Sequence, residues 1–463
     1  MKEWSLLLVS VIATLVLATG VIRWLAPGLL GIARDLQLVQ IDDRKPPFYQ
    51  GVFDNSDTPP GEFLIRDPVT RIRARPLFRR ARGGGQGPND ILGFRNRSVP
   101  NTADIIALGD SMTYGNNALM EQTWPGHLRQ TLAREDISVY SMASSGWAAV
   151  QYLDMMKHAV LFDPHVVVVA FYTGNDPLES FQMTYASDYW NWLIPDSTLS
   201  SSDLPKVNFP PPESEQWDVT FRDGVHAVFT PKLRLASNDS SPVVRAGYRR
   251  MEKSARLMAD MAQQVGCEIL FTIIPTKELV YALKVRDESI APPADYQRLV
   301  TQEREYIRIF SNTLGNIEGA RYIDVAEPLQ RAAMGNVNLY PDNSNSHPVA
   351  EGYRVIGEEI SKHVKALVPP TLKGLYAWND EEKAYIVLIK NEGVWIFSSI
   401  ELVRKNGWPE GDLQVISSRE LSNLPYRGFI NTVDSSRFGP DCCHTSAEER
   451  TIQATRTPNL NGR

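Results

Sequence analysis

ADIIALGDSMTYG, residues 103–115, carries the decision about the fold. The apolar run Ile105-Ile106-Ala107-Leu108 stops on Gly109-Asp110-Ser111, and a further glycine comes at Gly115. A short apolar run bounded by turn-forming residues has the length of a fully buried strand. Gly, Asp and Ser are ordinary residues where strands end, so one reading of the triplet is a turn. The other is that Ser111 is a nucleophile held at the carboxyl end of a strand, where open α/β sheets place their ligands. Distant segments decide between the two.

Working outward, apolar runs recur at Ile137–Met142, Val166–Tyr172, Glu268–Ile274 and Arg321–Ile323, which makes five strands with the first. Helix-like stretches lie among them. PGHLRQTLAR opens with Pro125 in a first-turn position, and VQYLDMMKHAV comes after the second strand. Tyr248, Met251, Ala255, Met258 and Ala262 recur at spacings of three and four. Alternation of this kind predicts a mostly parallel, doubly wound sheet covered on both faces, over residues 100–368. Residues 178–243 interrupt it with Tyr185, Tyr189, Trp190 and Trp192 and then PPPESEQW. That is too long for an ordinary connection and is expected to cap the site. Residues 25–99, rich in Pro, Gly and Arg, read as a connector with little regular structure. Its arginines (Arg71, Arg73, Arg75, Arg79, Arg80, Arg82) are expected to be solvated and mobile, the alternative being an anionic lipid or polymer. In residues 369–463, AYIVLIKNEGVWIF reads as a hairpin ahead of a polar tail.

The chain has 463 residues, 43% hydrophobic and 22% charged, enough for an ample core. The formal net charge of −6 is spread along the chain and gives no argument for nucleic acid. Trp4 to Ile22 carries no charge and spans about 28 Å as a helix, close to a bilayer core, with Trp4 and Trp24 bracketing it. A retained membrane anchor over residues 1–24 is expected, a cleaved signal peptide being the alternative. The basic residues flanking it barely discriminate its orientation. Cys267, Cys442 and Cys443 are too few for a disulfide framework. DCCH at 441–444 lacks a second pair at zinc-finger spacing, so no metal site is read and no cofactor is implied.

Chemistry enters through the segments beyond the Gly-Asp-Ser triplet, in order. SMASSGW ends the second strand and offers the Gly146 backbone N–H. FYTGNDP ends the third and offers the Asn175 carboxamide, and YPDNSNSHPVAEGY places His347 just ahead of a helix. Parallel strands bring these carboxyl ends to one edge. A serine hydroxyl needs a base within hydrogen-bond reach, a role open to His347. The Ser111 N–H, the Gly146 N–H and the Asn175 amide form a candidate oxyanion hole.

The ordered set resembles the SGNH (GDSL-type) hydrolase family. ILGFRNRSVPNTADIIALGDSMTYG is similar to a membrane-anchored branch of it, in which a GFRN stretch precedes the first block. The resemblance covers roughly residues 90–365. It implies a flavodoxin-like sheet and a serine esterase that acylates Ser111, with His347 as base and then acid. Two positions depart from the pattern. The family usually has an aspartate three residues before the histidine, where this chain has Ser344. Asp342, five residues before, is the expected acid, with a backbone carbonyl as the alternative. Thr173 stands where the family usually has glycine.

The expected substrate is an O-acyl ester of a cell-envelope or exported glycan, with the catalytic domain outside the cytoplasm. An O-acyltransferase using the same residues is one alternative. A catalytically weak module binding glycan or partner proteins is the other.

Overall fold

The computed structural model describes residues 63–79, 86–133, 137–186, 188–194 and 198–368, and five strand segments between 374 and 430. The expected anchor, Arg80, Arg82, Cys442 and Cys443 lie outside the described residues. Among the described residues, no helix is long and apolar enough to cross a membrane. The chain divides into two compact units, 1–369 and 370–463.

Among its described residues, the first unit begins with an antiparallel pair, β1 (Leu64–Asp67) and β2 (Arg71–Ala74). Both strands lie in the described part of the expected connector. Ile65 and Ala74 are buried, and Arg73 is buried rather than solvated. Its guanidinium donates to the Leu92 carbonyl, sits 3.8 Å from Asp67 and lies over the Phe94 ring. An arginine with its charge paired and its guanidinium over an aromatic ring can leave water, which composition alone does not reveal.

β3 (Ile105–Gly109), β4 (Val139–Ala143), β5 (Val166–Tyr172), β8 (Glu268–Ile274) and β9 (Ala320–Ile323) form one parallel sheet in the order β4-β3-β5-β8-β9. A small antiparallel pair, β6 (Trp217–Thr220) and β7 (His226–Phe229), belongs to the insertion. The strand order is that of the flavodoxin-like doubly wound sheets, with the chain switching direction between β3 and β5. Side chains of successive strand residues go to opposite faces. Ile105 and Ala107 join a core with Trp124, Leu128, Tyr353 and Ile356, while Ile106 and Leu108 join the other with Tyr152, Met156, Met251 and Met258.

Helices Trp124–Leu132 and Ala350–Val364 cover the first face, and Ala149–Ala159 and Pro242–Val265 the second. The first of these starts where Thr123 Oγ1 accepts the Gly126 N–H at 3.1 Å, with Pro125 in its first turn.

In the second unit, β10 (Gly374–Asn379), β11 (Ala384–Lys390), β12 (Gly393–Phe397), β13 (Gln414–Ile416) and β14 (Tyr426–Ile430) form a sheet in the order β13-β10-β11-β12-β14. β11 and β12 are the antiparallel hairpin read from AYIVLIKNEGVWIF, and Val387, Val394 and Ile416 pack together.

Candidate active site

β3 ends at Gly109, which pairs with Ala143 of β4 and Ala170 of β5, so the three strands finish at one edge. The turn after β3 explains the Gly-Asp-Ser triplet. A Cβ on Gly109 would lie 2.0 Å from Thr113 Oγ1, so only glycine lets the chain fold back this tightly. Asp110 caps the short helix Ser111–Tyr114, its Oδ1 accepting the Met112 N–H at 2.8 Å. Ser111 therefore begins a helix, 9% exposed, with its N–H among the groups a helix leaves unpaired. Burial pushes the Asp110 carboxyl up to about 7, and Glu179 adds to that rise.

His347 comes to this serine across 236 residues of sequence. Its Nε2 lies 2.7 Å from Ser111 Oγ. On the ring's other side Nδ1 lies 2.8 Å from Asn345 Oδ1, which also accepts the His347 backbone N–H at 3.1 Å. A backbone N–H can only donate, so this atom of Asn345 is the carboxamide oxygen and the ring proton sits on Nδ1. Nε2 is then an acceptor for the serine hydroxyl. Asn345 Nδ2 donates in turn to Asn117 Oδ1 at 3.0 Å.

The acid expected at Asp342 is not there. Asp342 is exposed and has no hydrogen bond to His347 among the described residues. The reason is local. Asn343 Oδ1 accepts the Asn345 N–H at 2.9 Å and Asn345 Oδ1 accepts the His347 N–H, two consecutive Asx turns. Those turns bring the Asn345 side chain beneath the imidazole and leave Asp342 outside. The NSNSH spacing, with asparagine two residues before histidine, is the sequence signal that points to it.

Gly146, in the turn after β4, has φ of +78°. A Cβ there would be strained and would lie 2.8 Å from Ile72 Cδ1. Neither the Ser111 nor the Gly146 N–H donates to a group among the described residues. Asn175 lies beyond β5 at the same edge, its Nδ2 donating to Glu179 Oε2 at 2.7 Å.

A second set of residues, missed in the sequence, holds these loops. Lys277, fully buried after β8, donates to the carbonyls of Asn343 at 2.8 Å and Asn345 at 3.2 Å. Burial pushes its ammonium down to about 8. Arg234, in the short helix Pro231–Leu235 of the insertion, donates to Gly174 O at 3.3 Å and Ser346 Oγ at 2.9 Å. It thus ties the asparagine loop to the histidine loop. Burial first, then the Arg234 charge, pushes the His347 imidazole down to about 3.

Thr173, the departure from the expected glycine, donates from Oγ1 to Glu303 at 2.6 Å. Glu303 also accepts the Thr276 N–H and hydroxyl, so one buried carboxyl braces the ends of β5 and β8. Arg95 of GFRN donates to the carbonyls of Gly87, Tyr114, Gly115 and Ala118 and fixes the chain leaving the Ser111 helix. Asn96 Oδ1 accepts the Ser141 N–H on β4 at 3.0 Å. Among the described residues no three or more His, Cys, Asp or Glu side chains are grouped so as to hold a metal ion.

No family model matches the chain, and no curated protein matches it. Solved structures do. A GDSL-like lipase from Bacteroides thetaiotaomicron is 12% identical over 57% of this chain and 87% of its own, with a TM-score of 0.29. The psychrotrophic esterase EstA from Pseudoalteromonas sp. is 12% identical over 58% and 98%, at 0.29. An acetylxylan esterase from Geobacillus stearothermophilus, as a catalytic mutant, is 11% identical over 57% and 94%, at 0.34. These neighbours are a lipase and two esterases.

Proposed function

We propose that the chain is an SGNH (GDSL-type) ester hydrolase that works through an acyl-enzyme on Ser111. The observation that carries this reading is the 2.7 Å contact between His347 Nε2 and Ser111 Oγ, with Nδ1 tied to Asn345 on the far side of the ring. As Ser111 Oγ attacks the acyl carbonyl, its proton passes to His347 Nε2. The carbonyl oxygen takes the electron pair and is held by the Ser111 N–H, the Gly146 N–H and Asn175 Nδ2. Collapse expels the alcohol, which takes the proton from Nε2, and water repeats the sequence in reverse to free the acid. Asn345 keeps the imidazole in the working tautomer throughout. A carboxamide supplies a dipole where a triad aspartate supplies a full charge, as in hydrolases with a Cys-His-Asn arrangement.

Within this reading the substrate is an O-acyl ester of a cell-envelope or exported glycan, and residues 4–22 anchor the chain with its catalytic unit outside the cytoplasm. The uncharged N-terminal run between two tryptophans supports the anchor. A sugar hydroxyl in place of water makes the same residues an O-acyltransferase.

The test is labelling of the full chain with a fluorophosphonate probe, comparing wild type with Ser111→Ala and His347→Ala. Labelling of wild type alone supports an activated serine, and a folded wild type that takes no label overturns the reading.

A further inference from the structure

Asn175 differs from an ordinary surface asparagine in how its carboxamide is held. Nδ2 donates to Glu179 Oε2 at 2.7 Å, while Oδ1 is buried with no partner among the described residues. The two residues are four apart at the start of helix Asp176–Ala186, and the Glu179 N–H already bonds the Asn175 carbonyl at 3.0 Å. Backbone and side chain therefore close one ring, and nothing else on the amide selects its orientation.

An amide nitrogen carries two N–H groups in one plane at a fixed angle. A bond that occupies one sets the direction of the other. Without Glu179 the carboxamide could turn over and present Oδ1, a second negative end, to a developing oxyanion. The neighbouring charges do not replace this bond. Asp110 and Asp176 are buried acids that Glu179 acts on and offer no cation, and Arg234, which also acts on Glu179, directs its two terminal nitrogens to Gly174 and Ser346.

We propose that Glu179 is a positioning residue for Asn175: it holds one N–H of the carboxamide so that the other is presented to the oxyanion. This rests on the ester-hydrolase reading above. Glu179 does not touch substrate and moves no proton in the reaction.

The experiment is steady-state hydrolysis of p-nitrophenyl acetate by the full chain. Asn175→Ala lowers kcat about 100-fold, the loss expected for one oxyanion donor. Glu179→Leu lowers kcat about tenfold with KM nearly unchanged, because the donor survives but is no longer aimed. Glu179→Gln, which still offers an acceptor oxygen, recovers most of that loss, and Glu179→Asp, which withdraws it, does not. In the double variant Asn175→Ala, Glu179→Leu no loss beyond that of Asn175→Ala remains.

Wild-type kcat in both Glu179→Leu and Glu179→Asp overturns the proposal, as do losses that multiply in the double variant. Should Glu179→Leu fail to fold, the Gln and Asp pair carries the comparison. A wild type that hydrolyses no ester overturns the ester-hydrolase reading instead. The contact is then read by NMR with 15N-asparagine, the Asn175 side-chain amide being assigned by its loss in Asn175→Ala. A shift of that resonance in Glu179→Asp, which withdraws the acceptor, supports the pairing, and an unmoved one overturns it.

Discussion

His347 Nδ1 and Asn345 Oδ1 stand 2.8 Å apart, and among the described residues no acid hydrogen-bonds to the imidazole. The group that meets the candidate base is thus a carboxamide supplied by an Asx turn, two positions before the histidine.

Removing it separates the two candidate orienting residues. Asn345→Ala should lower kcat about 100-fold, since the ring is free to take the wrong tautomer. Asp342→Ala should stay within about twofold of wild type, as an exposed carboxylate with no hydrogen bond to the ring contributes little. Steady-state kinetics on p-nitrophenyl acetate checks both, and a large loss in Asp342→Ala sinks the assignment of Asn345.

The pH profile is set by the imidazole. His347, held down to about 3 by burial and by Arg234, stays neutral and able to accept a proton at every pH above that value. Activity is lost only as pH falls through the lowered value, so the acid limb of kcat/KM should lie well below pH 6.5, the ordinary histidine value. Arg234→Gln should move that limb upward and Arg234→Lys should not, because lysine keeps the charge. A wild-type limb near 6.5 contradicts the arrangement.

Lys277 holds the histidine loop by two carbonyls. Lys277→Met should destabilise the protein by on the order of 2 kcal/mol, the cost of leaving buried acceptors unpaired. Part of this is offset because a buried charge is removed as well. Urea unfolding measures the first effect. The same variant should lower kcat, because Asn343 and Asn345 carry the turns beneath the imidazole.

Arg95 is a buried cation with four carbonyl acceptors. Arg95→Met should cost about 3 kcal/mol or more in thermal or urea unfolding. Arg95→Lys should recover only part of it, since a single ammonium cannot span the fork of a guanidinium. Equal stability of Arg95→Met and wild type would mean these bonds are replaced by water.

The strands were legible because each is a continuous apolar run, and a parallel strand buried on both faces requires one. Val166–Tyr172 is buried at every position, so no alternation blurs it. Arg73 was illegible for the opposite reason: its burial depends on Asp67, Leu92 and Phe94, none of which marks it locally. Thr173 looked like a defect in a motif until Glu303, 130 residues on, gave its hydroxyl an acceptor.

What the sequence determined by itself is the sheet and the order of its chemical groups: Ser111 after the first strand, Gly146 after the second, Asn175 after the third and His347 before the last helix. Apolar runs and turn residues act over a few neighbours, and a linear reading captures interactions of that range. Only the tertiary structure decided that Asn345 rather than Asp342 meets the imidazole, and that Lys277, Arg234, Glu303 and Arg95 hold the loops in place. Lys277, Arg234, Glu303 and Arg95 each act on groups many positions away, and whether a side chain meets its partner is set by how the chain turns between them. Asn345 lies two residues from His347, but the same turns in the loop decide that it, and not Asp342, reaches the ring.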